Sequence, residues 1–423
     1  MDHIPVKAGL LFLIVGFTAC LDSSENGGDE SLYDTEIPFA VENTGTDCII
    51  PSIINYTDLE KIPHMPDPFL DMEGNRITDI EDWRCRRAEI SAQVQKFELG
   101  LKPETAQEKV STTMDTDTTM TVTVEENDTT ISFEVDVNYP SHGKAPYPAM
   151  IGIGRSFLNN SDLDSLGVAV IQFPNNELGE QMGSNSRGKG KFYDIFGNEH
   201  TASAMMAWAW GVSRLIDGLQ TTEGIEINPE RIGITGCSRN GKGALMAGAL
   251  DERIVLTIPQ ESGSGGAAGW RISDAQYERG QEVQTLRQIV QENVWFTEDF
   301  EKFSESVERL PYDHHSVMGM IAPRALLILE NSDIEWLGNE STYTTSVIAR
   351  EIWKAMGISD RMGISQVGGH NHCQLPDTQR PEVNAFVKKF LLDDSTVNTR
   401  VVRMDTDLNV DLTKWAPWET PTL

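Results

Sequence analysis

The stretch Arg231-Ile-Gly-Ile-Thr-Gly-Cys-Ser-Arg-Asn-Gly-Lys-Gly-Ala244 decides how the chain is read. A β-branched run enters Gly236, Ser238 follows, and Gly241 opens a segment rich in Ala and Gly. That is the order of a strand, a tight turn and a helix. A serine held at such a turn needs small neighbours, because the backbone must fold sharply there. The helix that follows aims its free N–H groups at a developing oxyanion. The usual spacing is Gly-x-Ser-x-Gly, and here the second glycine falls one residue late. Gly236 to Lys242, and likewise Gly183 to Lys189, also fits the Gly-x4-Gly-Lys of a phosphate loop. In both, a glycine stands where Ser or Thr should hold Mg²⁺. No acidic strand end completes either, so nucleotide binding is set aside.

Outward from this stretch, strands and helices alternate. Residues 147–153, 168–173, 231–235, 253–258, 325–330 and 364–367 read as strands. Residues 202–219, 241–250, 283–296, 344–356 and 382–392 read as helices. This rhythm predicts an α/β fold of the α/β-hydrolase kind, a three-layer αβα sandwich on a mostly parallel sheet. Upstream, residues 118–139 alternate about Asn127-Asp128 and predict an antiparallel hairpin. Residues 83–101 read as a helix, and 396–423 as a surface strand or loop. One catalytic domain is expected over 46–423.

The chain has 423 residues, of which 39% are hydrophobic, and a net charge of -31. Such acidity argues against nucleic-acid or anionic-membrane partners, which call for clustered Lys and Arg. After residue 20 no apolar run approaches the roughly 20 residues that span a bilayer. Lys7, the apolar run from Ala8 to Val15 and Gly16-Phe17-Thr18-Ala19-Cys20 follow the pattern of a signal peptide over 1–19. A cysteine directly after the small residue resembles a bacterial lipoprotein signal. Cys20 is then the lipidated N-terminus, and residues 20–45 a polar, disordered tether. The expectation is export as an outer-membrane lipoprotein, or to the periplasm or cell surface, with the lipid as the only membrane contact.

Removing Cys20 leaves Cys48, Cys85, Cys237 and Cys373. An even number in an oxidising compartment suggests two disulfides, with three possible pairings. A serine nucleophile needs a base, and then a group that orients the base, later in the chain. Of the eight histidines, His3 lies in the signal, and His64, His142 and His200 precede the serine. His314 and His315 precede a predicted strand and read as capping or packing residues. His370 and His372 lie in Gly368-Gly-His-Asn-His-Cys373, just past the last core strand, where a loop base belongs. Cys237 abuts Ser238 and Cys373 abuts His372. A bond between these cysteines clamps nucleophile and base together, which favours His372 and the pairs Cys237–Cys373 and Cys48–Cys85. Free buried thiols are the alternative. For the acid, Glu261 follows one strand, and Glu330, Asp333 and Glu335 follow the next; the residues alone leave these open.

Gly236-Cys-Ser-Arg-Asn-Gly-Lys-Gly243, Glu261-Ser-Gly-Ser-Gly-Gly266 and His372-Cys373 resemble the glucuronoyl esterases, carbohydrate esterase family fifteen. So do Ser186 to Asp194, Ala207 to Arg214, Gln284 to Trp295 and Ile334-Glu-Trp-Leu-Gly338. The resemblance covers about residues 50 to 395. It implies cleavage of the ester between lignin alcohols and 4-O-methyl-glucuronic acid on xylan. It implies Ser238 as nucleophile, His372 as base, Glu261 as acid and Arg239 in the oxyanion hole. Lys242, Gln284, Glu292 and Trp336 match positions that hold the sugar. Some family members shift the acid to the next loop, which keeps Asp333 and Glu335 in view. Read without the resemblance, Trp336 is a core residue, and Gln284 and Glu292 are solvated helix positions.

No cofactor or metal is implied, since His370 and His372, two apart on a loop, make a poor zinc signature. A monomer acting on glucuronoxylan or a lignin–carbohydrate ester is expected. Two rivals are an acetyl-xylan or general carboxylesterase on the same fold, and a non-catalytic glycan-binding surface lipoprotein.

Overall fold

In the computed structural model, which describes residues 39–423 except 407 and 409, ten strands form one sheet. They are β1 (Val110–Met114), β2 (Thr119–Glu126), β3 (Thr129–Asn138), β4 (Tyr147–Ile153), β5 (Ala169–Phe173), β6 (Ile227–Cys237), β7 (Ile254–Gln260), β8 (Ala325–Asn331), β9 (Met362–Val367) and β10 (Val402–Met404). Their order across the sheet is β1-β2-β3-β5-β4-β6-β7-β8-β9-β10. From β5 to β10 every neighbouring pair is parallel. The signal segment, Cys20 and the tether up to residue 38 lie outside the described residues.

The strand sequences explain the layers. Side chains alternate across a strand, so a continuous apolar run fills two faces. Ile151, Ile153, Ile232, Ile234, Leu326 and Ile328 join one core. Its helices include α1 (Ile80–Val94), α2 (Ala204–Thr221) and α3 (Arg239–Leu250). Met150, Leu256, Ile258, Leu327 and Leu329 point the other way, onto a later helix carrying Val383, Phe386, Val387 and Leu391. Each such side chain, fully buried, contributes roughly 1.5–3 kcal/mol. The expected three-layer α/β-hydrolase arrangement is therefore present. Four further helices complete the set used below: α4 (Trp270–Glu278), α5 (Leu286–Glu292), α6 (Asn339–Ala355) and α7 (Arg380–Leu391).

The structure adds one pairing and corrects three expectations. The antiparallel strands extend the central sheet, because β3 pairs with β5. Their turn is at Asn127-Asp128 as expected, with both residues at positive φ, which a two-residue hairpin requires. The helix expected over 283–296 ends at Glu292. Val294, Trp295 and Phe296 are all buried, and three consecutive inward side chains do not suit one face of a surface helix. The helix expected over 83–101 is an α-helix only to Val94 and widens into a π-type turn over Gln95–Leu99. Finally, the disordered tether does not reach residue 45. Glu42 is ion-paired to Lys102 and Arg214, and the Thr44 hydroxyl donates to Glu252 at 2.9 Å.

Candidate active site

The carboxyl ends of β6, β7, β8 and β9 lie side by side, and each is followed by a loop bearing one part of the site. In open parallel sheets this is the edge where ligands bind.

After β6 comes Ser238, with φ 60° and ψ -129°, and α3 starts at the next residue. A non-glycine residue held in that region is strained, and such strain persists only where its surroundings enforce it. Here the Ser238 N–H donates to Gln260 O at 2.9 Å. A Cβ on Gly236 would meet Asn240 O at 2.3 Å, and one on Gly241 would meet Gln260 O at 2.6 Å. The late glycine thus has a cause: the close approach is to the β7 backbone, three residues past the serine. Asn240 fills the usual glycine place and accepts from Asn175 Nδ2 at 3.3 Å.

After β7 comes Glu261, also at positive φ, with its N–H bonded to Leu329 O at 2.7 Å. Its Oε2 lies 2.5 Å from His372 Nδ1 and accepts the Cys373 N–H at 2.9 Å. Cys373 is again at positive φ. Nδ1 being taken, Nε2 is the His372 nitrogen left for another partner. The disulfide Cys237–Cys373, with Cα atoms 5.7 Å apart, joins the residues next to Ser238 and His372. The second disulfide is Cys48–Cys85. Cys237, His372 and Cys373 could be mistaken for a metal cluster, but both sulfurs are spent in the disulfide, so no thiolate remains.

Asp333 and Glu335, after β8, do not reach His372. Asp333 Oδ2 accepts the Gly369 N–H at 2.6 Å, and Glu335 is exposed at the start of a short turn. Glu330, the last-but-one residue of β8, is fully buried. Burial, followed by the neighbouring charge of Glu261, pushes its carboxyl up to about 8.

Ser238, Arg239, Lys242, Gln284, Glu292, Trp336 and His372 line one cavity of about 260 Å³, with Trp295, Ile334 and Leu337. Lys242 Nζ donates to Ser262 O at 2.5 Å and lies 3.5 Å from Gln284 Oε1. Gln284 Nε2 donates to Glu292 Oε2 at 2.6 Å. Burial pulls the Lys242 ammonium down to about 8, against the pull of Glu330 and Glu292. Trp336 is 38% exposed, which excludes the core reading. Gln284 is buried in the cleft rather than solvated. Arg239 stacks over the Trp295 ring at 5.6 Å, and Trp295 Nε1 donates to Gln181 Oε1 at 2.8 Å. The sequence reading gave Trp295, Ile334, Leu337 and Gln181 no role. The buried run 294–296 was the available signal, because an aromatic next to an expected sugar-binding segment tends to shape it.

A serine at a strained turn, a histidine oriented by a buried carboxylate, and an adjoining cavity of amide, charged and aromatic groups form a set suited to acyl transfer on a polar substrate.

Comparison with known proteins points the same way. A family profile described as "Glucuronyl esterase, fungi" matches residues 122–357. The 4-O-methyl-glucuronoyl methylesterase of Podospora anserina is 48% identical over 360 residues, covering 84% of this chain and 74% of that protein. The enzyme of the same name from Neurospora crassa is 46% identical over 368 residues, covering 86% and 90%. The glucuronoyl esterase catalytic domain from Hypocrea jecorina superposes with a TM-score of 0.84 at 44% identity, covering 88% of this chain and all of that one. A serine-to-alanine mutant of the Sporotrichum thermophile glucuronoyl esterase, solved with methyl 4-O-methyl-β-D-glucopyranuronate, gives 0.83 at 44% identity, covering 89% and 99%.

Proposed function

The chain belongs to the glucuronoyl esterase family, and from that premise we propose that it hydrolyses the ester joining a lignin alcohol to the C6 carboxyl of 4-O-methyl-glucuronic acid on xylan. The observation that carries the reading is the Glu261–His372 pair at 2.5 Å beside the cavity that holds Ser238.

Ser238 Oγ attacks the C6 carbonyl while His372 Nε2 takes its proton. Glu261 keeps the imidazole in the tautomer that leaves Nε2 free and stabilises the imidazolium that forms. Arg239 offers its backbone N–H at the start of α3 to the oxyanion, with the guanidinium close by. The imidazolium passes its proton to the departing alcohol. Water, activated by the same histidine, then splits the acyl-enzyme. Lys242, Gln284 and Glu292 meet the sugar hydroxyls, and Trp336 offers a ring face to the pyranose.

The test is hydrolysis of benzyl glucuronate beside an acetylated sugar ester, by wild type and Ser238→Ala. Turnover of the uronate alone, lost in the variant by about 10⁴-fold or more, is expected. Turnover of only the acetyl ester would transfer the chain to the acetyl-xylan esterase reading, and no turnover with retained glycan binding to the non-catalytic one.

Export is our reading of its destination, and two disulfides suit an oxidising compartment. Lipid anchoring at Cys20 rests on the leader sequence; the mass of the mature N-terminus decides it. A monomer is our reading of the quaternary state, checked by light scattering.

A further inference from the structure

An ester has two arms, and the cavity beside Ser238 accounts for one. Lys242, Gln284, Glu292 and Trp336 come from α3 and from the segments after β7 and β8, so the cavity opens on that flank of Ser238. On the other flank of β6 lies β4. Gly152 of β4 is paired with Thr235, which brings Gly154 level with Cys237 by count. The two turns touch. A Cβ on Gly154 would meet Asn240 Nδ2 at 2.7 Å, and Asn240 is two residues past Ser238. At Gly154, with φ 70°, the chain doubles back, so that a Cβ on Gly152 would meet Ser156 N at 2.2 Å.

This turn carries Arg155 and Phe157. The Arg155 guanidinium lies over the Phe157 ring, 4.5 Å from its centre. Arg155 is exposed, and among the described residues no carboxylate pairs with it, although the chain has 65 Asp and Glu. Phe157 is half-buried, yet it joins none of the hydrophobic clusters, whereas Leu158 beside it does. The pair therefore serves neither the core nor an ion pair. A guanidinium packed on a ring presents a flat outer face, which can take a second ring by the same cation–π attraction. Arg239 and Trp295 make such a pair at 5.6 Å on the other flank, where both line the cavity.

We propose that Arg155 and Phe157 form the subsite for the alcohol arm of the ester, and that they select an alcohol bearing an aromatic ring. This deepens the esterase reading and rests on it. The acyl and alkoxy arms diverge from the carbonyl carbon that Ser238 attacks. With the uronate on the flank of β7 and β8, the alcohol lies toward β4. An electron-rich ring, such as a methoxylated phenyl, suits the face of a cation, and an alkyl alcohol gains little there. The pair meets the departing group and not the reacting atoms. It sets specificity and takes no part in proton transfer.

The test compares benzyl glucuronate with methyl glucuronate, for wild type, Arg155→Gln and Phe157→Leu. Arg155 is exposed, so its variant carries little risk to folding. The ratio of kcat/KM for benzyl over methyl should fall roughly fivefold in Arg155→Gln, and by a similar factor in Phe157→Leu. A residue that only supports the turn would lower both esters together and leave the ratio at its wild-type value. A second series varies the ring instead of the protein. The KM advantage of a para-methoxybenzyl over a para-nitrobenzyl ester should be larger in wild type than in Arg155→Gln, because a cation prefers the richer ring. An unmoved ratio, or equal substituent effects in the two proteins, would overturn the proposal. So would a loss confined to a methyl ester borne on glucuronoxylan, which would assign the pair to the glycan main chain. Wild-type turnover of methyl glucuronate reads the esterase assignment by itself: its absence defeats that reading, whereas its presence with an unmoved ratio defeats only this subsite.

Discussion

Two buried groups of charges, built from the same residue types, are treated in opposite ways by this fold. Remote from the cleft, Lys102, Arg214 and Arg253 meet Glu42, Asp217 and Asp251. Arg253 contacts Asp217 at 2.5 Å and Asp251 at 2.7 Å, Arg214 contacts Asp217 at 2.7 Å and Glu42 at 2.5 Å, and Lys102 contacts Glu42 at 2.6 Å. Burial alone would push the Asp251 carboxyl up, but Arg253, with Lys102 and Ser213, more than offsets it and holds the group well below the usual range. Beneath the cleft, Glu261, Glu330 and Lys242 are as deeply buried, yet no direct ion pair joins them. Lys242 spends its ammonium on Ser262 O, and Glu330 is met by backbone N–H groups and the Thr342 hydroxyl. There burial wins, and both groups are displaced toward neutrality. Where charges neutralise one another they fix the fold. Where they are left unpaired, they remain available to a substrate and to proton transfer.

The sharpest way to break this comparison is to remove charge from each group in turn. Glu261→Gln should lower kcat by roughly 10³–10⁴-fold, since the wrong imidazole tautomer is then favoured. On a free-energy scale that is about 4–5.5 kcal/mol of barrier. The melting temperature should move little, because the Gln amide oxygen can still accept the Cys373 N–H. Steady-state kinetics with a thermal melt on the same sample reads both. A large fall in melting temperature would mean that the cleft carboxylate is a structural ion like those of the remote group.

Arg253→Met should do the reverse. It leaves Asp217 and Asp251 buried with lost partners, a loss of about 3–5 kcal/mol of stability. Glu42 lies on the strap at 42–44, so the variant should also loosen that segment, with faster proteolysis near it. Activity per folded molecule should stay at the wild-type level. Denaturant unfolding followed by activity of the refolded fraction measures this. Loss of turnover in fully folded Arg253→Met would show that the two groups are coupled.

The same contrast explains what the sequence disclosed. The parallel sheet was legible because 147–153, 253–258 and 325–330 are apolar runs with turns beside them, and burial on two faces leaves just that trace. The tight turn at Ser238 was legible because Gly236 and Gly241 are demanded by backbone approaches within a few residues of it. Cys237 and Cys373 then tied His372 to it. Partners far apart in the chain were not legible. Nothing near Glu42 announces Arg214, and the apolar run Val294-Trp295-Phe296 hints that the helix ends before it without saying what those side chains bury against. The choice among Glu261, Asp333 and Glu335 depended on a distance, that of Glu261 Oε2 from His372 Nδ1.

The smallest effect expected is also the most diagnostic of the cleft group. Glu330 has its carboxyl raised to about 8 from an ordinary 4.5. The folded state therefore holds a proton that the unfolded state has given up. This favours folding fully below 4.5, and the advantage is lost as pH rises from there through about 8. Between about pH 6 and pH 8 the loss should amount to roughly 2 kcal/mol. Glu330→Gln mimics the protonated form and has no such proton to lose. Near pH 5 the two proteins should melt within a few degrees of each other, with any deficit of the variant set by the second carboxyl oxygen it lacks. Toward pH 8 the wild type should fall relative to the variant. Melting curves taken across that range decide it. Parallel curves would mean that Glu330 is ionised throughout, compensated by Lys242, and that the cleft carries a hidden ion pair of the remote kind.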